Sequence, residues 1–340
     1  MTRSNVACPP RKSRRLVARA RGRCTLALAL YPLSVLAHAQ VTESDPAFHS
    51  SVARPEYTQQ HPRVVIDQAH HNFHTMEGRY RPFAELLTSD GYEVVPGNAE
   101  FDASEFSPVS VLVIANARGG ATPSDIPKSA FSASECDAVE RWVRNGGALL
   151  LIADHVPFGS AAHDLALRFG VDMGRGYVFD PQHAAGNPTF LVFSADNGLL
   201  GNHAILRGHS ESEQVHRIVA FTGQSLSIPS GATALMKLAP SAFEVDSAAA
   251  GWAILSSSSN GPDPNTANDL HFRSDAGRAQ GVALDFGRGR LVVVGEAALL
   301  SAQLLRAPGE PDFRFGMNAP GNDDKQFVLN TLHWLSGNLR

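Results

Sequence analysis

The chain has 340 residues, 43% of them hydrophobic and 18% charged, with a formal net charge of −4. That length suits one large domain or a domain with a sizeable insertion, and the absence of internal repeats excludes a repeat array. The first 23 residues hold eight Lys or Arg and no acid, so removing that segment leaves a charge of −12, an acidic surface that argues against nonspecific nucleic-acid binding.

Taken in chain order, the first forty residues read as a secretory signal. A basic stretch, an apolar run from Leu26 to Leu36 and the small-x-small site Ala37-His38-Ala39 predict cleavage after Ala39. The apolar run is too short for a bilayer-spanning helix, and no later segment is a membrane candidate, so no membrane span is expected after signal removal. The expected location is periplasmic or secreted. Cys8 and Cys24 leave with the signal, and Cys136 stays as a lone thiol, so the mature domain must be held by its core. Residues 40–60 are polar, contain Pro46 and Pro55, and read as a linker into a single domain over 61–340.

A strand is predicted at Arg63–Asp67, a helix at Tyr80–Ser89 closed by Asp90-Gly91, and a short strand at Tyr92–Val95. Val111–Ala115 reads as a strand buried on both faces. Ser134–Arg144 is an amphipathic helix ended by Asn145-Gly146-Gly147, followed by a buried strand Ala148–Ala153 and a helix Ala161–Phe169. This order implies an α/β fold, a flavodoxin-like doubly wound and mainly parallel sheet. Residues 171–280 loosen into an irregular β-rich insertion, with runs at Thr189–Phe193, Arg217–Phe221, Ala232–Leu238 and Trp252–Leu255 and a polar loop at Asn260–Asn268. The regular core resumes as a hairpin, Gly281–Phe286 and Arg290–Val294. Helices are then predicted near Ala298–Leu305 and at Asp324–Leu335.

Four strand ends carry chemistry. The first gives Asp67, His70, His71, Asn72 and His74; the second Asn116; the third Asp154 and His155; the fourth Glu296. In a doubly wound sheet these ends open on one edge, where ligands bind. Imidazole with carboxylate suits zinc or a similar divalent ion, with Asp67, His70 and His74 as ligands and Asp154, His155 and Glu296 as catalytic groups. Metal-free acid–base chemistry through Glu296 or Asp154 with a histidine is the second expectation. The competing reading is that the acids cap turns and the histidines satisfy buried backbone groups. Asn72, Asn116 and Asn318 are expected to bind a polar substrate, small or polymeric, with the segments 221–225 and 316–323 lining its pocket. No serine sits in a nucleophile elbow, Cys136 reads as core, and no glycine pattern indicates a nucleotide cofactor.

The segment from Ala133 through Gly146-Gly147 to Asp154 resembles the helix, glycine pair, buried strand and elbow of class I glutamine-amidotransferase-like domains. The run Gly287-Arg288-Gly289-Arg290-Leu291-Val292-Val293-Val294-Gly295-Glu296, followed by Asn322 to Leu335, resembles an uncharacterised bacterial branch of that superfamily. That branch is related to trehalose-utilisation-type proteins and to auxiliary domains of gliding-motility ABC transporters. The similarity covers most of residues 62–170 and 280–337. It implies a flavodoxin-like sheet and a site at the elbow. The elbow here reads Ala153-Asp154-His155-Val156-Pro157, without the cysteine of true amidotransferases, so thiol-based glutamine hydrolysis is not implied. Two functions follow as expectations: an exported hydrolase of a polar ester, amide or glycoside, metal-assisted or not, or a non-catalytic binding or assembly module using the same crevice.

Overall fold

Five strands with continuous or near-continuous apolar sequence build a parallel sheet, because helices cover both of its faces. The computed structural model describes residues 41–102, 106, 109–257, 273–306 and 311–340; the segment read as a secretory signal and the loop Asn260–Asn268 lie outside the described residues. The strands are β2 (Arg63–Asp67), β3 (Glu93–Gly97), β4 (Val111–Ala115), β5 (Ala148–Ile152) and β13 (Gly289–Val294). In space they run β3-β2-β4-β5-β13, all parallel, and the sheet continues antiparallel through β12 (Ala279–Phe286) and β9 (Thr233–Lys237). Numbered along the parallel strands alone, the order is the flavodoxin-like 2-1-3-4-5.

Side chains on β4 alternate between two cores. Val111, Val113 and Ala115 face helices α1 (Arg81–Ser89) and α6 (Asp324–Leu335) through Phe83, Leu86, Val328 and Leu332. Leu112 and Ile114 face α2 (Ala133–Arg144) and α3 (Phe158–Leu167) through Val139, Val143 and Leu165. Ser132 and Glu135 form a reciprocal capping box at the start of α2. Its end turns through Gly146 at φ +118°, a conformation that side-chain-bearing residues rarely adopt.

The structure differs from the sequence expectation in three places. Residues 41–44, read as linker, form β1 and pair antiparallel with β14 (Ala302–Arg306), which in turn pairs with β15 (Phe313–Gly316). The helix expected near Ala298–Leu305 is instead one 3₁₀ turn, Ala298–Leu300, followed by β14; sheet pairing on both sides of β14 overrides the helical propensity of its Ala, Gln and Leu. The run Trp252–Leu255 lies in a helix, α5 (Ala248–Ser257), which the preceding alanines favour.

The insertion is otherwise β-rich. It supplies β9 to the main sheet, a two-stranded pair of β7 (Phe190–Ser194) and β8 (Arg217–Phe221), and a small sheet. That sheet is ordered β11-β10-β6, from Arg273–Ser274, Phe243–Val245 and Tyr177–Phe179. A one-turn helix, α4 (Ala204–Arg207), precedes β8. No described helix is long and apolar enough to cross a membrane.

Candidate functional site

Strand register aligns the loaded ends. Ala115 pairs with Ile152, and Ile152 with Val294, so Asn116, Asp154 and Glu296 leave the sheet close to the same level, with Asp67 at the end of neighbouring β2. The sheet order reverses between β2 and β4, the position where doubly wound folds open a crevice.

The β2 side is closed on itself. Asp67 is fully buried, and both its oxygens lie 2.9 Å from His70 Nδ1; His70 Nε2 lies 2.8 Å from Glu135 Oε1. The imidazole is packed between the rings of Phe101 and Phe131, with centroids 4.5 and 4.7 Å away. Burial pulls the His70 pKa down, but the hydrogen bonds and charges of Asp67 and Glu135 outweigh it and the net shift is upward. Burial pushes Glu135 up, yet bonds from His70, Ser132 and Phe101 hold it down at about 2. The result is an imidazole bracketed by two carboxylates, an arrangement that favours its protonated form.

The asparagines act as clamps. Asn72 donates to Asp67 Oδ2 at 3.0 Å and accepts from the His70 N–H at 3.1 Å. Asn116 sits at φ +49°, fully buried; its Oδ1 accepts from the Asp154 N–H at 2.9 Å and its Nδ2 donates to His74 Nδ1 at 3.0 Å. Its carbonyl also accepts from the Phe73 N–H. One side chain thereby ties the ends of β2, β4 and β5. Burial, aided by the nearby Arg79 charge, lowers His74 to about 3, so His74 stays neutral.

The β5 and β13 ends are different. At the elbow, His155 Nδ1 donates to the Val156 carbonyl at 2.8 Å, so that in the neutral ring the lone pair is on Nε2, 3.9 Å from Asp154 Oδ1. The His155 ring stacks on Tyr177, centroids 4.1 Å apart. The side chains of His155 and Asp154 are 24% and 14% exposed, so both reach solvent. Glu296 is fully buried and accepts from the N–H groups of Ala298 and Leu299 at 2.6 and 2.8 Å. Burial and the neighbouring Asp154 carboxylate push Glu296 well above the usual range, and burial raises Asp154 as well. Gly295 allows this placement: a Cβ there would meet the Gln224 carbonyl oxygen at 2.4 Å.

The mouth is aromatic and cationic. Phe73 is 41% exposed, lies 5.5 Å from Phe158 at the start of α3, and carries the guanidinium of Arg79 4.2 Å above its ring, with that of Arg118 at 5.9 Å. A cavity of about 560 Å³ opens beside it, lined by Thr42, Ser44, Glu77 and Arg79 among others.

Two placements depart from the sequence expectation. Asp67, His70 and His74 do not converge as a ligand set, because His70 spends both nitrogens on carboxylates and His74 points its Nδ1 at Asn116. Asn318 is not at the sheet edge: its Nδ2 donates to Asp45 and to the Gln303 carbonyl, holding β1 against the β14–β15 hairpin. Of the two segments expected to line the pocket, 221–225 reaches the elbow through Gln224, whose Nε2 donates to the Ala153 carbonyl at 2.7 Å. Segment 316–323 borders a separate cavity of about 430 Å³ with Phe190, Phe221 and Phe313. Cys136 is buried, its thiol pushed up to about 11, which suits a core residue and not a nucleophile.

Sequence reasoning missed Glu135, Tyr80 and Tyr177. The pattern Ser132-x-x-Glu135 is a capping box visible in sequence, but its second oxygen's partner, 65 residues away, is not. Tyr80, fully buried, donates to the Ala297 carbonyl at 2.9 Å beside Glu296.

The helix, glycine pair, buried strand and elbow are all present on a flavodoxin-like sheet, in agreement with an amidotransferase-like fold. Among solved structures, the chain is similar to one described as "mmIFT52 N-terminal domain" at 14% identity, with 82% of this chain and 99% of that one covered and a TM-score of 0.56. A protein described as ThuA-like from Bacteroides uniformis is 12% identical over 86% of this chain and 95% of its own, with a TM-score of 0.41. No curated protein sequence matches. The profile described as Domain of unknown function (DUF4350) matches residues 80–318, most of the chain, and the chain belongs to that family.

Proposed function

We propose that this chain is an exported, non-catalytic binding or assembly module of the uncharacterised amidotransferase-like branch, taking a polar, hydroxyl-bearing ligand at the C-terminal edge of its sheet. One observation carries the reading: Asp67, His70, Asn72, Asn116 and Glu296 spend their polar atoms on one another, on Glu135 and His74, and on backbone, which leaves few groups at the edge for chemistry on a substrate. What stays accessible is a recognition surface. Phe73 and the Tyr177–His155 pair offer ring faces, Asp154 and His155 Nε2 accept hydrogen bonds, and Arg79 and Arg118 supply charge. The elbow carries no nucleophile in place of the missing cysteine.

A hydrolase is the second reading, and the Asp154–Glu296 pair favours it. Burial raises both carboxyls and the Asp154 charge raises Glu296 further, an arrangement that supplies a general acid. One experiment separates the two. Purified protein is screened against nitrophenyl esters, amides and glycosides, with and without Zn²⁺ or Mn²⁺, and in parallel against a panel of mono- and oligosaccharides by calorimetry. The module reading expects no turnover and binding that weakens at least tenfold in Asp154→Asn and His155→Ala. Turnover that disappears in Asp154→Asn or Glu296→Gln makes the protein a hydrolase instead.

A further inference from the structure

A second cluster lies away from the sheet edge, where the approach to the domain meets the last helix. Glu56, His209 and His333 each bring one ligand atom, and these atoms all lie within 4.8 Å of one another. They come from three separate parts of the chain: the segment before β2, the loop after α4, and the last turn of α6.

The decisive side chain is His333. It is 5% exposed, and its Nε2 lies 2.7 Å from Asp90 Oδ2. A ring nitrogen this close to a buried carboxylate carries a proton, and in the neutral ring Nδ1 then holds the lone pair. Nδ1 is buried and has no hydrogen-bond partner. A buried acceptor without a partner normally costs about 1–3 kcal/mol, so its presence asks for something that binds there. Carboxylate, imidazole and metal in that order is the usual support for a metal-bound histidine, with the outer carboxylate fixing the tautomer.

The surroundings fit this role. Asp90 is 1% exposed and also accepts from the Glu56 N–H at 3.0 Å, so one carboxylate orients both the imidazole and the segment carrying the acid. Glu56 Oε1 accepts from Asn338 Nδ2, which leaves Oε2 for another partner. The His209 ring lies 5.9 Å from that of His333, centroid to centroid, and is exposed. Around a tetrahedral zinc, with bonds of about 2.0–2.1 Å, donor atoms stand roughly 3.4 Å apart. Binding in this geometry requires the exposed His209 and the half-buried Glu56 to rotate towards the buried His333.

We propose that Glu56, His209 and His333, the last through Nδ1, bind one divalent ion of the zinc class, with water in the fourth position. Two imidazoles and one carboxylate favour a first-row transition ion over calcium or magnesium, which take all-oxygen sites. The ion would fasten the entry segment and the α4 loop to the final helix, and by mass action it would stabilise the folded chain.

The test uses the metal-stripped full chain titrated with Zn²⁺, read by calorimetry and by melting temperature, and with Co²⁺, read by its visible absorption. The expected result is one equivalent of Zn²⁺, a rise in melting temperature and an intense four-coordinate cobalt spectrum. His209→Ala and Glu56→Gln each weaken Zn²⁺ binding at least tenfold and abolish that cobalt spectrum, while the metal-free melting temperature stays unchanged. Both residues are used because His333→Ala also removes the partner of a buried Asp90. Undiminished Zn²⁺ affinity in either variant overturns the proposal, as does the absence of any Zn²⁺-dependent shift. Binding that survives His209→Ala but is lost in His70→Ala places the ion at the sheet edge and overturns it equally.

Discussion

His70 and His333 are both buried and both lean on a buried carboxylate, yet their chemical positions are opposite. His70 uses Nδ1 on Asp67 and Nε2 on Glu135, so no lone pair remains. His333 uses Nε2 on Asp90, and its Nδ1 faces no partner. The sequence around His70 looks richer, with three histidines, an acid and an asparagine in eight residues, while His333 sits in an ordinary amphipathic helix. What separates a clamp from a ligand is the number of nitrogens left over after the protein has satisfied itself.

The strongest way to break that contrast is to remove the clamp. His70→Ala leaves Asp67 fully buried without its counter-charge, and breaking one partner of a buried pair costs about 3–5 kcal/mol. Urea denaturation should show a loss in that range. A change within about 0.5 kcal/mol would mean that the His70 carboxylate contacts contribute nothing net, and would return the residue to the pool of candidate ligands.

The pH dependence of stability sharpens the same point. The folded pKa of His70 is raised above 6.5, so its contribution is complete below that value and is lost as pH rises through the folded pKa. Glu135 is lowered from 4.5 to about 2, so its contribution is complete above 4.5 and is lost as pH falls towards 2. The clamp is therefore strongest between about pH 4.5 and 6.5. The stability gap between the native protein and His70→Gln should be widest inside that window and narrow on either side. Denaturant midpoints taken across that range check it, and a gap independent of pH would show that the imidazole is neutral in the fold.

The core was legible because its signals are local. Continuous apolar runs at Val111–Ala115 and Ala148–Ile152 announce strands covered on both faces, and α6 is bounded as its periodicity indicates. The approximate level of Asp67, Asn116, Asp154 and Glu296 also follows from strand order. Their roles do not, since they depend on contacts such as His70 to Glu135 and Asn116 to Asp154 that join distant segments. The misread stretches have the same origin. Residues 41–44 have no strand signature of their own and become one only because β14 offers an edge more than 250 residues later. The Glu56, His209 and His333 group is spread over 277 positions, and no spacing rule joins its members.

The smallest expected effect concerns Asp154, the acid that faces the crevice. Burial raises its pKa, which means that the fold holds its charged form less comfortably than water does. Asparagine has the same shape, still accepts the His155 N–H at the position of Oδ1, and carries no charge. Asp154→Asn should therefore leave stability unchanged or raise it by up to about 1 kcal/mol near neutral pH, the pattern of a residue kept for binding at some cost to the fold. A thermal melt beside His70→Ala makes the comparison direct. Destabilisation of Asp154→Asn on the scale of His70→Ala would move Asp154 out of the recognition surface and into the clamp, because only a carboxylate held by buried partners loses that much when its charge is removed.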